Sequence, residues 1–180
     1  MKNTGWYLQS AVLAVFFVFS FCSNSEAFDF SDWGALVNKY VAPKTLAGVR
    51  FNAIDYASLK KDPVFSGMVA RLESYSLASL ESRESKLSFW INVYNILAAK
   101  MITDHYPIKS IKDVGSFFKP VWKRVAGTVG GKERTLNDIE HEILRKMNEP
   151  RIHMAIVCAS VSCPDLRQEV YSAGKLNEQL

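Results

Sequence analysis

The sequence predicts an α+β (or α/β) domain in which a helix-rich N-terminal half packs on a small sheet. Three observations predict it. Leu87 to Tyr106 is a long, strongly apolar helical stretch, and Val121 to Arg134 reads as two short strands around Gly130-Gly131 or Gly127. Arg151 to Val161 is almost continuously apolar and rich in isoleucine and valine, the pattern of a strand covered on both faces. That run supplies the expected central buried strand, near residues 151–158.

The first segment stands outside the fold. Lys2 gives a thin positive start, Ala11 to Phe21 (AVLAVFFVFSF) is apolar, and Cys22 to Ala27 is small or polar, ending Ser25-Glu26-Ala27. Small residues at the first and third places before Phe28 suit signal peptidase, so residues 1–27 read as a signal peptide cleaved after Ala27. A membrane span needs about 20 apolar residues, and this stretch is marginal even when counted from Trp6. A lipid-anchored Cys22 is disfavoured because bulky Phe21 sits where a small residue is expected. The expected location is therefore periplasmic or extracellular, with membrane contact only through the signal segment.

Residues 28–180 are long enough for one domain with a sizeable core. No internal repeat or low-complexity linker divides them. The formal net charge of +4 is unchanged by removing Lys2 and Glu26, and the basic residues are interspersed with acidic ones. That excludes the clustered basic footprint of a nucleic-acid binder.

Within the domain, Ser31 and Asp32 are cap candidates for a short helix over 31–41. Asp55 to Lys61 looks like a turn or a second helix. Asp62-Pro63 suits a helix start, continued at helical spacing by Val64, Met68, Leu72 and Tyr75. On the long helix, Trp90, Tyr94, Leu97 and Met101 form one stripe, and Ile91, Ala98 and Ile102 widen it. Pro107 ends that helix. Thr135 caps a further helix with Asp138 at capping-box spacing; Leu136, Ile139, Ile143, Leu144 and Met147 form its buried side, and Pro150 marks its end. Tyr171 to Leu180 reads as a helix that stops in mid-pattern, which leaves room for the domain to continue past residue 180.

Three blocks in this order, FWINVYNIL (Phe89 to Leu97), RTLNDIEHEILR (Arg134 to Arg145) and EPRIHMAIVCASVSCPDL (Glu149 to Leu166), resemble the family known as domain of unknown function 547. The resemblance covers about residues 75–180. It implies kinship with exported bacterial proteins of unassigned activity, and with plant proteins that carry the domain behind coiled-coil segments. It assigns no catalytic role to any residue here, and family members usually extend beyond the position where this chain stops.

The chemistry-bearing candidates cluster late in the chain. With Cys22 in the signal, Cys158 and Cys163 remain, and an oxidising compartment makes their pairing the default. Ala159 to Ser162 is long enough to turn back, and the short loop would contribute about 2 kcal/mol on the chain-entropy model. The competing reading makes Cys158 a nucleophile, which requires a base within about 2.6–3.2 Å. His153 is nearest in sequence, but five residues of strand span about 16 Å and place the two side chains on opposite faces. His141 or His105 would reach Cys158 more naturally. Zinc is the weakest option, because Cys-x4-Cys with His153 or His141 is only loosely zinc-like; no metal and no cofactor is expected.

Asn92 and Asn95, three residues apart, share a face of the apolar helix. Each needs a partner, because an unsatisfied buried amide costs about 1–3 kcal/mol; a tie to a neighbouring loop is favoured over contact with a substrate. Glu140, His141, Arg151 and His153 are the polar residues expected nearest the strand, with Arg145 four residues after His141. Any pocket should lie among them. Two functions follow as expectations. One is an exported module binding a ligand or protein partner, with Asn92, Asn95, Glu140 and Arg151 as binding residues. The other is a thiol-dependent hydrolase or transferase using Cys158 with His141 or His153.

Overall fold

A computed structural model of the chain describes residues 27–46, 48–116, 118–158 and 163–180. The expected signal peptide, Ala27 apart, lies outside the described residues. Among the described residues, no helix is long and apolar enough to cross a membrane.

The fold is α+β, and α4 is its axis. Helix α1 (Ser31–Tyr40) is held at its start by Asp29, not by Ser31 or Asp32. The Ser31 backbone N–H and hydroxyl each donate to the Asp29 carboxylate at 2.8 Å. A hairpin follows, β1 (Val41–Leu46) antiparallel to β2 (Val49–Ile54), with Leu46 opposite Val49. The sequence reading contains no counterpart of this hairpin. Its strands alternate poorly and its second strand is only half buried, so no period-2 stripe marks them.

Two short helices come next. In α2 (Tyr56–Leu59), Asp55 caps by accepting the Ser58 N–H; in α3 (Pro63–Ser74), Asp62 accepts the Val64 N–H and Pro63 occupies the first turn. Helix α3 buries Phe65, Met68, Val69 and Leu72, whereas Val64, expected on the inner stripe, is exposed.

Helix α4 (Arg83–His105) starts at the Ser82 cap. From Leu87 to Thr103 every residue except Lys100 is buried. A helix apolar all round must be enclosed on all sides, and the remaining elements wrap it. The second hairpin pairs β3 (Val125–Val129) with β4 (Lys132–Thr135) through Gly130 and Gly131, both with positive φ. Its tip docks on the end of α3: the Gly130 N–H donates to Leu72 O (2.9 Å) and the Gly131 N–H to Glu73 O (2.7 Å). Two terminal carbonyls of α3 are thereby satisfied.

Thr135 and Asp138 form the expected capping box. The Asp138 N–H donates to Thr135 Oγ1 (3.0 Å) and the Thr135 N–H to Asp138 Oδ2 (3.2 Å). The helix that follows is a π-helical turn, Asp138–Leu144, continued by a 3₁₀ turn, Arg145–Met147, and stopped by Asn148 in the left-handed region. Leu136, Ile139 and Leu144 are buried, as that helix's pattern requires; Ile143 and Met147 are half buried.

The central buried strand near 151–158 is not there. Pro150–Met154 is a 3₁₀ turn, because Pro150 fixes a helical φ and the Glu149 carboxylate caps the Arg151 N–H at 3.2 Å. Ala155 to Cys158 then runs without a strand partner. The sheets among the described residues are the two hairpins alone. The apolar run is nonetheless internal: Ile152, Ala155 and Ile156 are buried, while Arg151, His153 and Met154 are exposed. Tyr171–Leu180, expected as a helix, contains only the single turn α5 (Leu176–Gln179).

Candidate functional site

A cavity of about 230 Å³ opens where α4, the π-helical turn and the end of the apolar run converge. Tyr94 reaches it from the middle of α4, Trp122 from the 3₁₀ turn Val121–Lys123, and Asn137, Glu140 and His141 from the π region. Leu136 and Cys158 complete the lining. A π turn carries an extra residue per turn relative to an α-helix and recurs at functional sites. Here the widened turn carries both Glu140 and His141 to the cavity.

Glu140 is held in place. Its Oε1 accepts from Arg145 Nη2 at 2.9 Å and Nε at 3.3 Å, and His141 Nε2 lies 3.9 Å from the same oxygen. The Tyr94 phenol is pushed well above its usual range by burial and, secondarily, by the charge of Glu140. It is therefore a neutral hydrogen-bond donor at any physiological pH.

Cys158 and Cys163 form a disulfide, with Cα atoms 6.2 Å apart. Cys158 lines the cavity just described, while Cys163 lines a second, larger one. In this state the Cys158 sulfur carries no free thiol.

Asn92 and Asn95 are buried and fully engaged by backbone. Asn95 Nδ2 donates to Ala155 O (3.0 Å) and its Oδ1 accepts the Val157 N–H (2.8 Å). Asn92 makes the same pair of bonds with a single residue: Nδ2 donates to Tyr171 O (2.8 Å), and Oδ1 accepts the Tyr171 N–H (3.0 Å). Each asparagine thus serves as the strand partner that the C-terminal segment lacks. They hold loops, and neither lines the Tyr94–His141 cavity.

The residues singled out from sequence divide into two groups. Glu140, His141 and Cys158 come together on one cavity. Arg151 is directed elsewhere, bonded to Glu149 through Nε and Nη2 (2.8 Å each) and to Asn177 Oδ1 (3.0 Å). His153 is exposed on the 3₁₀ turn, and His105 bonds Met101 O through Nδ1 at 2.9 Å; neither lines the cavity. Tyr94, Trp122 and Asn137 were not among the expected site residues. In the sequence Tyr94 belongs to the core stripe of the long helix, and nothing around Trp122 marks it. No group of three metal-ligating side chains occurs among the described residues.

Fold and site together define a small α+β domain wrapped round one buried helix, with a half-polar cavity beside a disulfide. The family model described as "Protein of unknown function, DUF547" matches residues 77–180, which hold α4, the π turn and both cysteines. The chain belongs to the DUF547 family. No curated protein and no solved structure matches it.

Proposed function

We propose that this is an exported binding module whose small-molecule ligand occupies the Tyr94–Trp122–His141 cavity. The observation that carries the reading is the convergence of two aromatic rings, a carboxylate, an amide and an imidazole on one concavity, with the carboxylate pre-set by Arg145. Pockets with apolar walls and a few convergent polar groups are the default binding sites of small proteins. The export half of the reading is supported by the Lys2–Ala27 pattern and by the disulfide, which is compatible with an oxidising compartment.

Trp122 gives a direct test. It is partly exposed at the cavity, whereas Trp33 and Trp90 are buried in the core. Screening water-soluble metabolites against the mature protein should find ligands that shield Trp122 from iodide quenching. Their affinity should fall about tenfold in Glu140→Gln or His141→Ala, roughly the worth of one charged hydrogen bond. Ligands whose affinity ignores both substitutions would overturn the assignment.

A second reading has its own observation. Cys158 and His141 line the same cavity, so the reduced protein would present a thiol and a candidate base together as a thiol-dependent hydrolase or transferase. Iodoacetamide labelling after mild reduction tests it. Selective modification of Cys158 over Cys163, lost in His141→Ala, favours the thiol reading; equal labelling of both sinks it.

A further inference from the structure

The second cavity, lined by Cys163 where the first is lined by Cys158, lies between the β1–β2 hairpin, the end of α4 and the segment 108–111. Its volume is about 320 Å³, at the lower end of the range for small-molecule pockets. The walls are apolar: Phe51, Ile54, Ile102, Ile108, Ile111 and Leu166 supply most of them.

The polar groups around it are unequal. Asp165 already accepts the Asn52 backbone N–H at 2.9 Å. Lys44 and Lys109 are exposed at its edge, and neither ammonium group has an ion pair or hydrogen bond among the described residues. Tyr56 also lines the cavity; its hydroxyl has no hydrogen bond among the described residues, and burial pushes its phenol upwards, so it remains a donor. An apolar chamber is thus rimmed by two uncommitted ammonium groups and lined by one uncommitted phenol. With the Asp165 carboxylate counted, the rim still carries two ammonium groups against one carboxylate, a balance that favours an anion over a cation.

We propose that this cavity binds an amphiphilic anion: a medium-length hydrocarbon body enclosed by the isoleucine-rich walls, with one carboxylate-type head group between Lys44 and Lys109. The site is separate from the Tyr94–His141 cavity and does not depend on the function assigned to it.

Decanoate, decan-1-ol and decyltrimethylammonium form the test set, titrated below their aggregation concentrations into the mature, disulfide-bonded protein and followed by ¹⁵N amide shifts. Decanoate should move the Asn52, Ile108, Lys109 and Leu166 amides and bind about fivefold or more tightly than decan-1-ol, the scale of one or two exposed charge contacts. Added salt should shrink that advantage. Lys44→Gln with Lys109→Gln should abolish the gap without weakening decan-1-ol. Lys44→Glu with Lys109→Glu should turn the preference towards decyltrimethylammonium. Both pairs are on the surface, so folding is retained. Equal binding of decanoate and decan-1-ol, shifts centred on Asn137 and His141, or no shift at all would each overturn the proposal.

Discussion

The two halves of the domain satisfy their backbones by different means. From Ser31 to His105 the chain is mostly helices started by side-chain caps, with one hairpin, and its N–H and C=O groups are answered largely within those elements, the Leu72 and Glu73 carbonyls and the Asn52 N–H being exceptions met from farther along the chain. Among the described residues from Asn148 onward there is little regular structure, yet Ile152, Ala155, Ile156, Leu166 and Tyr171 are as buried as the helices they touch. That second region is held by side-chain amides, Asn92 and Asn95, projecting from the first. Burial alone is therefore a poor guide to secondary structure: what the interior demands is a partner for each buried backbone group, and a helix can lend one.

The comparison breaks most directly at Asn95. Asn95→Ala removes two bonds at once and takes the asparagine partner from the buried Ala155 O and from the part-buried Val157 N–H. The expected loss is about 2–4 kcal/mol by urea denaturation, with amide-exchange protection falling first over residues 149–158. A loss under about 1 kcal/mol would mean that the C-terminal segment holds itself, and the contrast between the halves would fail. Replacing both Cys158 and Cys163 by serine should cost about 2 kcal/mol, as expected for a short loop, and should leave protection in α1 and α3 unchanged.

A smaller effect in the second region is read by pH. The Arg151 guanidinium bonded to Glu149 holds that carboxyl at about 2, against an ordinary 4.5. A carboxyl depressed on folding contributes stability that is complete above its unfolded value and disappears as pH falls towards the folded one. Stability should therefore decline between about pH 4.5 and 2, with about 1–2 kcal/mol of that decline absent in Glu149→Gln after allowance for the exposure of Arg151. Smallest of all, Thr135→Ala should cost about 1 kcal/mol by removing half of the capping box.

What could be read from the sequence follows the same division. Caps and periodicity announced Asp62-Pro63, the long helix, the Gly130-Gly131 turn and the Thr135–Asp138 box, because each is a local signal. The strand expected near 151–158 is absent: an apolar run reports burial, while the partner that decides between strand and coil lies 60 residues away in sequence, at Asn95. The π turn has no residue signature of its own, so the meeting of Glu140, His141 and Cys158 was legible as a neighbourhood and not as a geometry. Trp122 and the second cavity depend on how distant elements pack, which no window of sequence carries.

The amide clamps have a consequence for how freely such a domain can drift. Asn92 and Asn95 grip main-chain atoms only, so they are blind to which side chains occupy Ala155, Val157 and Tyr171. Substitutions there are filtered by the packing and polarity of their surroundings, and by the need for a backbone N–H at 157 and 171 that proline cannot supply; within those limits the path of the chain survives changes of composition. The instructions for the shape of the last third are thus written on α4. A graft of these two asparagines onto another buried helix would be a compact recipe for seating a loop of almost any sequence.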